Sequence, residues 1–211
     1  MRLAVLALLL TATACLGEDS DKPAVLFNGT DLSGWEHLGG GKAFVKGSKL
    51  ILEHDAEHKP GYLISSHAPL RDFFVRLKGR VPVGDSGLFF RGERHPVHAA
   101  EFQGPQVQLN QQPQRGFGGL FEHHGRGWIK RPDPRVEEAL PKATEPFEMT
   151  LRAEASRLIV TINGTVTVDM QDAGADNHFL RAGRFALQIH GGGPVRAEFD
   201  CIELLPLAAR P

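Results

Sequence analysis

The sequence has little of several features, and each shortage excludes a class of protein. Two cysteines are too few for a disulfide framework or a cysteine metal site. The 24 basic and 25 acidic residues nearly cancel, so no electrostatic reason exists to expect nucleic acid or an anionic membrane surface as a partner. No stretch approaches the roughly 20 apolar residues that a transmembrane helix needs. What remains is a chain of 211 residues, 41% of them hydrophobic, which can bury the core of one domain.

The N-terminus carries the pattern of a targeting segment. Arg2 precedes an apolar run, and the small residues Ala12-Thr13-Ala14 precede Cys15. This resembles a bacterial lipobox, in which the cysteine is lipidated, but Ala-Thr-Ala also fits ordinary signal-peptidase cleavage. Either route exports the protein, to the periplasm or the cell envelope, and the only predicted membrane attachment is a lipid on Cys15. The predicted division is a signal peptide (1–14), a polar tether (15–23), one domain (24–206) and a tail (207–211).

The body of the chain is rich in turn-forming residues, with 24 glycines and 14 prolines. About twelve short strand-like runs alternate with turns, and no amphipathic helix longer than a turn at residues 136–140 is predicted. Asn163-Gly164 is the strongest hairpin signal, since this pair accepts the positive φ angles of a type I′ turn. The pattern predicts an all-β fold, an antiparallel two-sheet sandwich in a single domain.

One strand near the C-terminus alternates cleanly. Phe185, Leu187 and Ile189 point one way, whereas Gln188 and His190 point the other, which is the period of a half-buried strand. Taken alone, the polar face fits a solvated surface as well as a functional one.

Several motifs, in order, cover nearly the whole predicted domain, among them LFNGTDLSGW at 26–35, DSGLFFR at 85–91 and GRFALQIH at 183–190. Together they resemble the 3-keto-disaccharide hydrolase domain family. That family's second block reads N-S-G where this chain has Asp85. Many members also carry Glu where Gln106 stands, which removes the usual acidic candidate from that strand. The common Trp-Asn pair before the hairpin is Phe147-Glu148 here. The matching segments are LFNGTDLSGW at 26–35, DSGLFFR at 85–91, QVQL at 106–109, GGLFE at 118–122 with GRGW at 125–128, ING at 162–164, GRFALQIH at 183–190 and the closing strand at 195–204.

The resemblance implies a concanavalin A-like jelly roll whose concave sheet binds sugar, and cleavage of glycosides already oxidised at C3. A ketone at C3 acidifies the C2 proton, so its removal lets the C1 substituent leave, and water can add afterwards. The reaction needs a base, a group at the C3 oxygen and an acid for the leaving oxygen. His190 is the first choice as base or acid because imidazole titrates near neutral pH.

Two further catalytic candidates each have a structural alternative. Glu122 is the leading carboxylate, or else it pairs with Arg126. Arg91 could hold the enolate oxygen in a bidentate manner, or else it pairs with an acid such as Glu101.

The expected partner is an oligosaccharide or another glycoside. The amides of Gln106, Gln108 and Gln188 suit sugar hydroxyls, and Trp128 would either stack on a sugar ring or anchor its loop. Trp35 is more typical of the core and is left out of the site.

No cofactor is predicted, and a divalent ion that stabilises the enolate is left open. The ten histidines show no ligand spacing on a helix or paired strand. His123 and His124, being adjacent, should point to opposite faces of a strand and so should not share an ion.

Two other functions fit the same fold: a non-catalytic sugar-binding module of the cell envelope, and a laminarinase-type glycoside hydrolase. The second depends on E-x-D-x-x-E at residues 198–203. In an unbulged strand Glu203 would face away from Glu198 and Asp200, which argues against it.

Overall fold

The computed structural model describes residues 23–54, 57–172 and 180–208. They form two antiparallel sheets and one short helix, so the predicted all-β sandwich is confirmed. The predicted signal peptide and Cys15 lie outside the described residues. The elements are β1 (Ala24–Phe27), β2 (Trp35–Gly39), β3 (Lys42–Lys46), β4 (Lys49–Glu53), β5 (Gly61–Ser65), β6 (Phe73–Val83), β7 (Gly87–Arg94), β8 (Phe102–Gln108), β9 (Leu120–His123), β10 (Gly127–Lys130), α1 (Pro134–Ala139), β11 (Phe147–Glu154), β12 (Arg157–Ile162), β13 (Thr165–Gln171), β14 (Arg184–Ile189) and β15 (Arg196–Pro206).

The two sheets have seven and eight strands. The seven-stranded sheet has the order β10-β9-β8-β7-β14-β5-β2. The eight-stranded sheet has the order β13-β12-β11-β6-β15-β4-β3, and β1 also pairs with β15. Neighbouring strands therefore often lie far apart in sequence, and β14 pairs with both β5 and β7.

The core fills the space between the inner faces of the sheets. Phe185, Leu187 and Ile189 of β14 all lie in it, as the alternation predicts. Phe73 of the opposite sheet meets Phe185 edge to face, with ring centroids 4.7 Å apart. Trp35 packs against this core, and its Nε1 donates to the carbonyl oxygen of Leu26 at 2.8 Å.

Local signals were most reliable at turns. Asn163 and Gly164 have φ angles of 47° and 78°, as a type I′ hairpin requires. The short helix α1 lies at the predicted helical turn, with Asp133 as its N-cap. Within the described residues, no helix has the length and apolar character to span a membrane.

The strands that the sequence did not predict are β2 and β10, which form the two edges of the seven-stranded sheet. Each has a neighbour on one side only and no fully buried residue, so its sequence carries no burial pattern. β7 runs on to Arg94 and β8 begins at Phe102, so the connection between them is short.

A bulge in β15 overturns one geometric expectation. The pairing register with β6 shifts between Phe199 and Cys201, so Phe199 and Ile202 both point into the core. Glu203 consequently shares the outer face with Glu198 instead of facing away from it. Cys201 is only partly buried there.

Candidate functional site

The candidate site lies on the outer face of the seven-stranded sheet. Because strand residues alternate between faces, the neighbours of inward-pointing Leu187 and Val107 point outward. Gln188 lies opposite Tyr62 of β5, and Gly87 lies opposite Gln108 of β8. We call the outward-facing set the floor; it consists of Tyr62, Gly87, Gln106, Gln108 and Gln188.

A directional chain of hydrogen bonds crosses the floor and ends on a carboxylate. Gln108 Nε2 donates to both oxygens of Asp85, at 3.0 and 2.8 Å. Since a carboxylate only accepts, the oxygen of Gln108 must face away from it, and that oxygen accepts from Gln106 Nε2 at 3.1 Å. Asp85 therefore fixes which way both amides point, and Oε1 of Gln106 is left as an acceptor.

Two buried amide oxygens of the floor lack partners among the described residues: Oε1 of Gln106 and Oε1 of Gln188. The two residues are only 3% and 2% exposed. A buried acceptor without a hydrogen bond is costly, by about 1–3 kcal/mol. Both oxygens therefore keep an unused capacity to accept a hydrogen bond.

An imidazole and a carboxylate lie at the end of the floor. Burial raises the pKa of Asp85, and the charge of His190 and hydrogen bonds from Gln108 and Asn110 oppose that rise only in part. His190 is exposed at the end of β14, and its Nδ1 lies 2.7 Å from the carbonyl oxygen of Gly191. A carbonyl can only accept, so Nδ1 carries the proton and Nε2 keeps the lone pair that a base needs.

The structure does not bring Glu122 to the floor. Along β9, Glu122 shares its face with the core residue Leu120, whereas Phe121 lies opposite Gln106. The carboxylate accepts from Arg126 Nε at 2.6 Å, as in the structural alternative, and Arg126 Nη2 also lies 2.8 Å from Asp172. The three residues join β9 to the end of β13, one strand from each sheet.

Arg91 likewise has a structural position. Its Nε donates to the carbonyl oxygen of Arg71 at 2.6 Å, and its Nη2 lies 3.5 Å from Asp72. Asp72, not Glu101, is thus its acidic partner. The side chain is fully buried, and burial lowers the pKa of Arg91 to about 10. Arg91 fastens β7 to the start of β6 in the opposite sheet.

Trp128 extends the floor at its β10 edge. It lies opposite Phe121 on β9, with the two rings 5.4 Å apart, and Phe121 in turn lies opposite Gln106. The guanidinium of Arg131 lies 3.8 Å from the ring centroid of Trp128 and so occupies one of its two faces.

The sequence reasoning missed a cluster beside the floor. His124 has a φ of 57°, so it leaves the strand, and its ring lies 4.3 Å from that of His123. The expectation that these two histidines point apart was therefore wrong. Nε2 of His123 lies 3.3 Å from the hydroxyl of Tyr62, and burial, followed by the charge of His124, lowers the pKa of His123 to about 4.

Asp85 and Glu101 were also missed as site residues. Asp85 could have been found, because it opens one of the matching segments, DSGLFFR. Glu101 meets His124 only through the fold, and no spacing in the sequence indicates that pair.

Comparison with known proteins identifies the family and the fold. A family model described as "3-keto-alpha-glucoside-1,2-lyase-like domain" matches residues 22–205. The chain belongs to this family. The resemblance to 3-keto-disaccharide hydrolases is thereby confirmed, and the protein is a carbohydrate-related jelly roll. A search of curated proteins finds no match.

Several solved structures share the fold of this chain at low sequence identity. A protein with a galectin-like fold from Bacillus subtilis has a TM-score of 0.66 at 16% identity, over 88% of this chain and 94% of that one. A glycosyl hydrolase-like protein from Parabacteroides distasonis has a TM-score of 0.64 at 16% identity, over the same shares. The Ca²⁺-bound lumenal domain of VIP36 has a TM-score of 0.57 at 16% identity, over 84% and 85%.

Proposed function

We propose that this protein cleaves 3-keto-glycosides on the floor of the seven-stranded sheet. The observation that carries the proposal is the pair of buried, unpartnered amide oxygens on Gln106 and Gln188 beside the Asp85–His190 pair. Membership of the lyase-like family supports the choice of substrate.

His190 is the base in this proposal. Nε2 takes the C2 proton, and the electron pair of the C2–H bond forms the C1–C2 double bond as the C1–O bond breaks. Asp85 stabilises the imidazolium through its negative charge. The imidazolium then returns its proton to the leaving oxygen, so the protein ends as it began. Addition of water to the resulting 2-hydroxyglycal gives net hydrolysis.

Binding uses the polar and aromatic parts of the floor in different ways. The amide oxygens of Gln106 and Gln188 accept from sugar hydroxyls. The hydrogen bond from Gln106 to Gln108 keeps the oxygen of Gln106 in its orientation. Phe121 and Trp128 offer an apolar surface for a ring beside them.

The test is incubation with a 3-keto-disaccharide at neutral pH, with release of monosaccharide or 2-hydroxyglycal as the readout. His190→Ala should lower kcat by about 10²–10⁴-fold, the usual range for loss of a general base. His67→Ala is the matched control, because that ring lies outside the floor and hydrogen-bonds to its neighbour's carbonyl oxygen, that of Ala68, at 2.9 Å. Full activity of His190→Ala would show that the base is another group.

A sugar-binding module without chemistry is the second candidate, favoured by the likeness to galectin-like and mannose-bound lectin structures. It predicts that the same incubation gives binding by calorimetry but no product. Gln188→Ala would weaken binding under either function, so product formation alone separates the two.

The laminarinase-type reading is the weakest of the alternatives. Although the bulge in β15 brings Glu198 and Glu203 to one face, that face belongs to the eight-stranded sheet, on the far side of the molecule from the floor. Glu198 pairs with Arg80 and Arg196, and Glu203 pairs with Arg76. Absence of glucose release from laminarin is the expected result.

Export through residues 1–14 and lipidation of Cys15 are part of the same proposal. They would place the enzyme at the cell envelope, where glycosides from outside are met. Cys15→Ser should move the protein from the membrane fraction to the soluble one, and retention in the membrane would refute lipidation.

A further inference from the structure

A group of metal-ligating side chains lies beside the floor and has no part in the proposed reaction. Glu101, His123 and His124 each offer one ligand atom, and these atoms all lie within 4.8 Å of one another. The rings of His95 and His98 flank them, with centroids 4.6 and 6.1 Å from that of His124. Four imidazoles and a carboxylate are thus collected in one place.

The chain pays a conformational cost to assemble this group. His124 holds a left-handed φ of 57°, which is uncommon for a residue other than glycine. That turn is what carries its ring to the side of His123, its neighbour in sequence. Strain of this kind, where it is observed, points to a function for the side chain that it positions.

The donor set selects a class of ion. Neutral imidazole and carboxylate suit Zn²⁺ and the neighbouring first-row transition metals, whereas Ca²⁺ and Mg²⁺ take oxygen ligands. Tetrahedral ligands at about 2.0–2.1 Å from zinc lie about 3.4 Å apart. No pair of ligand atoms therefore needs to approach by more than about 1.4 Å, whereas Glu101 and His124, which contact each other directly, need to separate, and side-chain rotation supplies both movements.

The rings are also oriented from outside the group. The Tyr62 hydroxyl contacts His123 at 3.3 Å. The backbone N–H groups of Val97 and His98 point at Nδ1 of His95, at 3.2 and 3.0 Å, so its other nitrogen, Nε2, faces elsewhere. Because Nδ1 of His95 accepts, the neutral ring carries its proton on Nε2, so His95 flanks the group without being one of its ligands.

We propose that Glu101, His123 and His124 bind one divalent transition-metal ion of the zinc class, with His95 next to it. Glu101 belongs to the connection between β7 and β8, whereas both histidines belong to the end of β9. The ion would fasten that connection against the edge of the floor. This inference does not depend on the proposed activity.

Calorimetric titration of tag-free, EDTA-treated protein with ZnSO₄ tests the site. One zinc per chain is expected, and Glu101→Gln and His124→Ala should each weaken binding at least tenfold. His67→Ala, outside the group, should bind as the unaltered protein does. Circular dichroism of each variant establishes that it is folded.

Trypsin cleavage after Arg94 gives a second readout, since this bond enters the connection that the ion would fasten. Zinc should slow cleavage in the unaltered protein and in His67→Ala, but not in His124→Ala. Unchanged zinc affinity in both ligand variants, or no zinc binding by the unaltered protein, would overturn the proposal.

Discussion

Exchange of the amide of Gln106 and the carboxylate of Asp85 tests most directly whether the hydrogen-bond chain through Gln108 has a fixed direction. In the structure, the carboxylate of Asp85 accepts from the amide nitrogen of Gln108. The amide oxygen of Gln108 accepts in turn from the amide nitrogen of Gln106, at 3.1 Å. In Gln106→Glu the carboxylate would face the oxygen of Gln108 at about that distance, with Asp85 still at the other end. Gln108 cannot donate its single amide nitrogen to both sides.

The size of the effect follows from the contacts. The variant loses one hydrogen bond, worth about 0.5–1.5 kcal/mol, and leaves a buried acceptor unmatched, at a cost of about 1–3 kcal/mol. Gln106→Glu should therefore lower the free energy of unfolding by about 1.5–4.5 kcal/mol at neutral pH. The stability lost by Gln106→Glu should become smaller as the pH falls, because the introduced carboxyl group can donate a hydrogen bond once it is protonated.

Asp85→Asn in the same chain should restore much of that loss. The introduced asparagine can donate to the oxygen of a flipped Gln108, whose amide nitrogen then donates to the introduced glutamate, so the whole chain reverses. Urea unfolding of the two single variants and the double variant gives the coupling energy, expected at about 1–3 kcal/mol in favour of the double. If the stability changes of the two single variants added up to that of the double variant within about 0.5 kcal/mol, the directional chain would be refuted.

Three other predictions follow from single contacts. A Cβ on Gly87 would lie 2.8 Å from Oε1 of Gln106, so Gly87→Ala should weaken binding of a 3-keto-disaccharide about tenfold in calorimetry. Gly193→Ala is the control, because a Cβ there has no atom within 4 Å. Arg126→Ala removes the shared partner of Glu122 and Asp172 and should lower stability in urea unfolding by about 1–3 kcal/mol. Burial alone would raise the pKa of Asp72, but hydrogen bonds from Arg71 and Ala155 and the charge of Arg91 lower it overall. A depressed folded-state pKa gives stability that is present above the unfolded value and lost below it, so stability should fall below about pH 4, and less steeply in Asp72→Asn.

The fold was predictable because its signals are local. Alternation in β14 identified both of its faces, and Asn163-Gly164 identified a hairpin from two residues. The bulge in β15 was not predictable, since it depends on register against β6. One inserted residue there reverses the face on which Glu203 lies, and no periodicity argument can detect that.

Residues of the candidate site could be placed on one face from the sequence only where they lie on the same strand. Gln106 and Gln108 lie two apart, so their shared face could be inferred from the sequence. Arg91 and Glu122 have the residue types of a catalytic site, yet the fold gives each an ionic partner, Asp72 for Arg91 and Arg126 for Glu122. Residue type does not distinguish an arginine or glutamate that joins two sheets from one that meets a substrate.

The hydrogen-bond chain accounts for an amide at position 106 together with a carboxylate at position 85. The motifs that this chain resembles have Asn where Asp85 stands and often Glu where Gln106 stands. The resemblance thus implies that the acid and the amide are exchanged between the two positions. Because Gln108 can donate in only one direction, a carboxylate at one end requires an amide at the other. The floor thus keeps one carboxylate, placed here on Asp85 beside His190, and Gln106 is its structural complement.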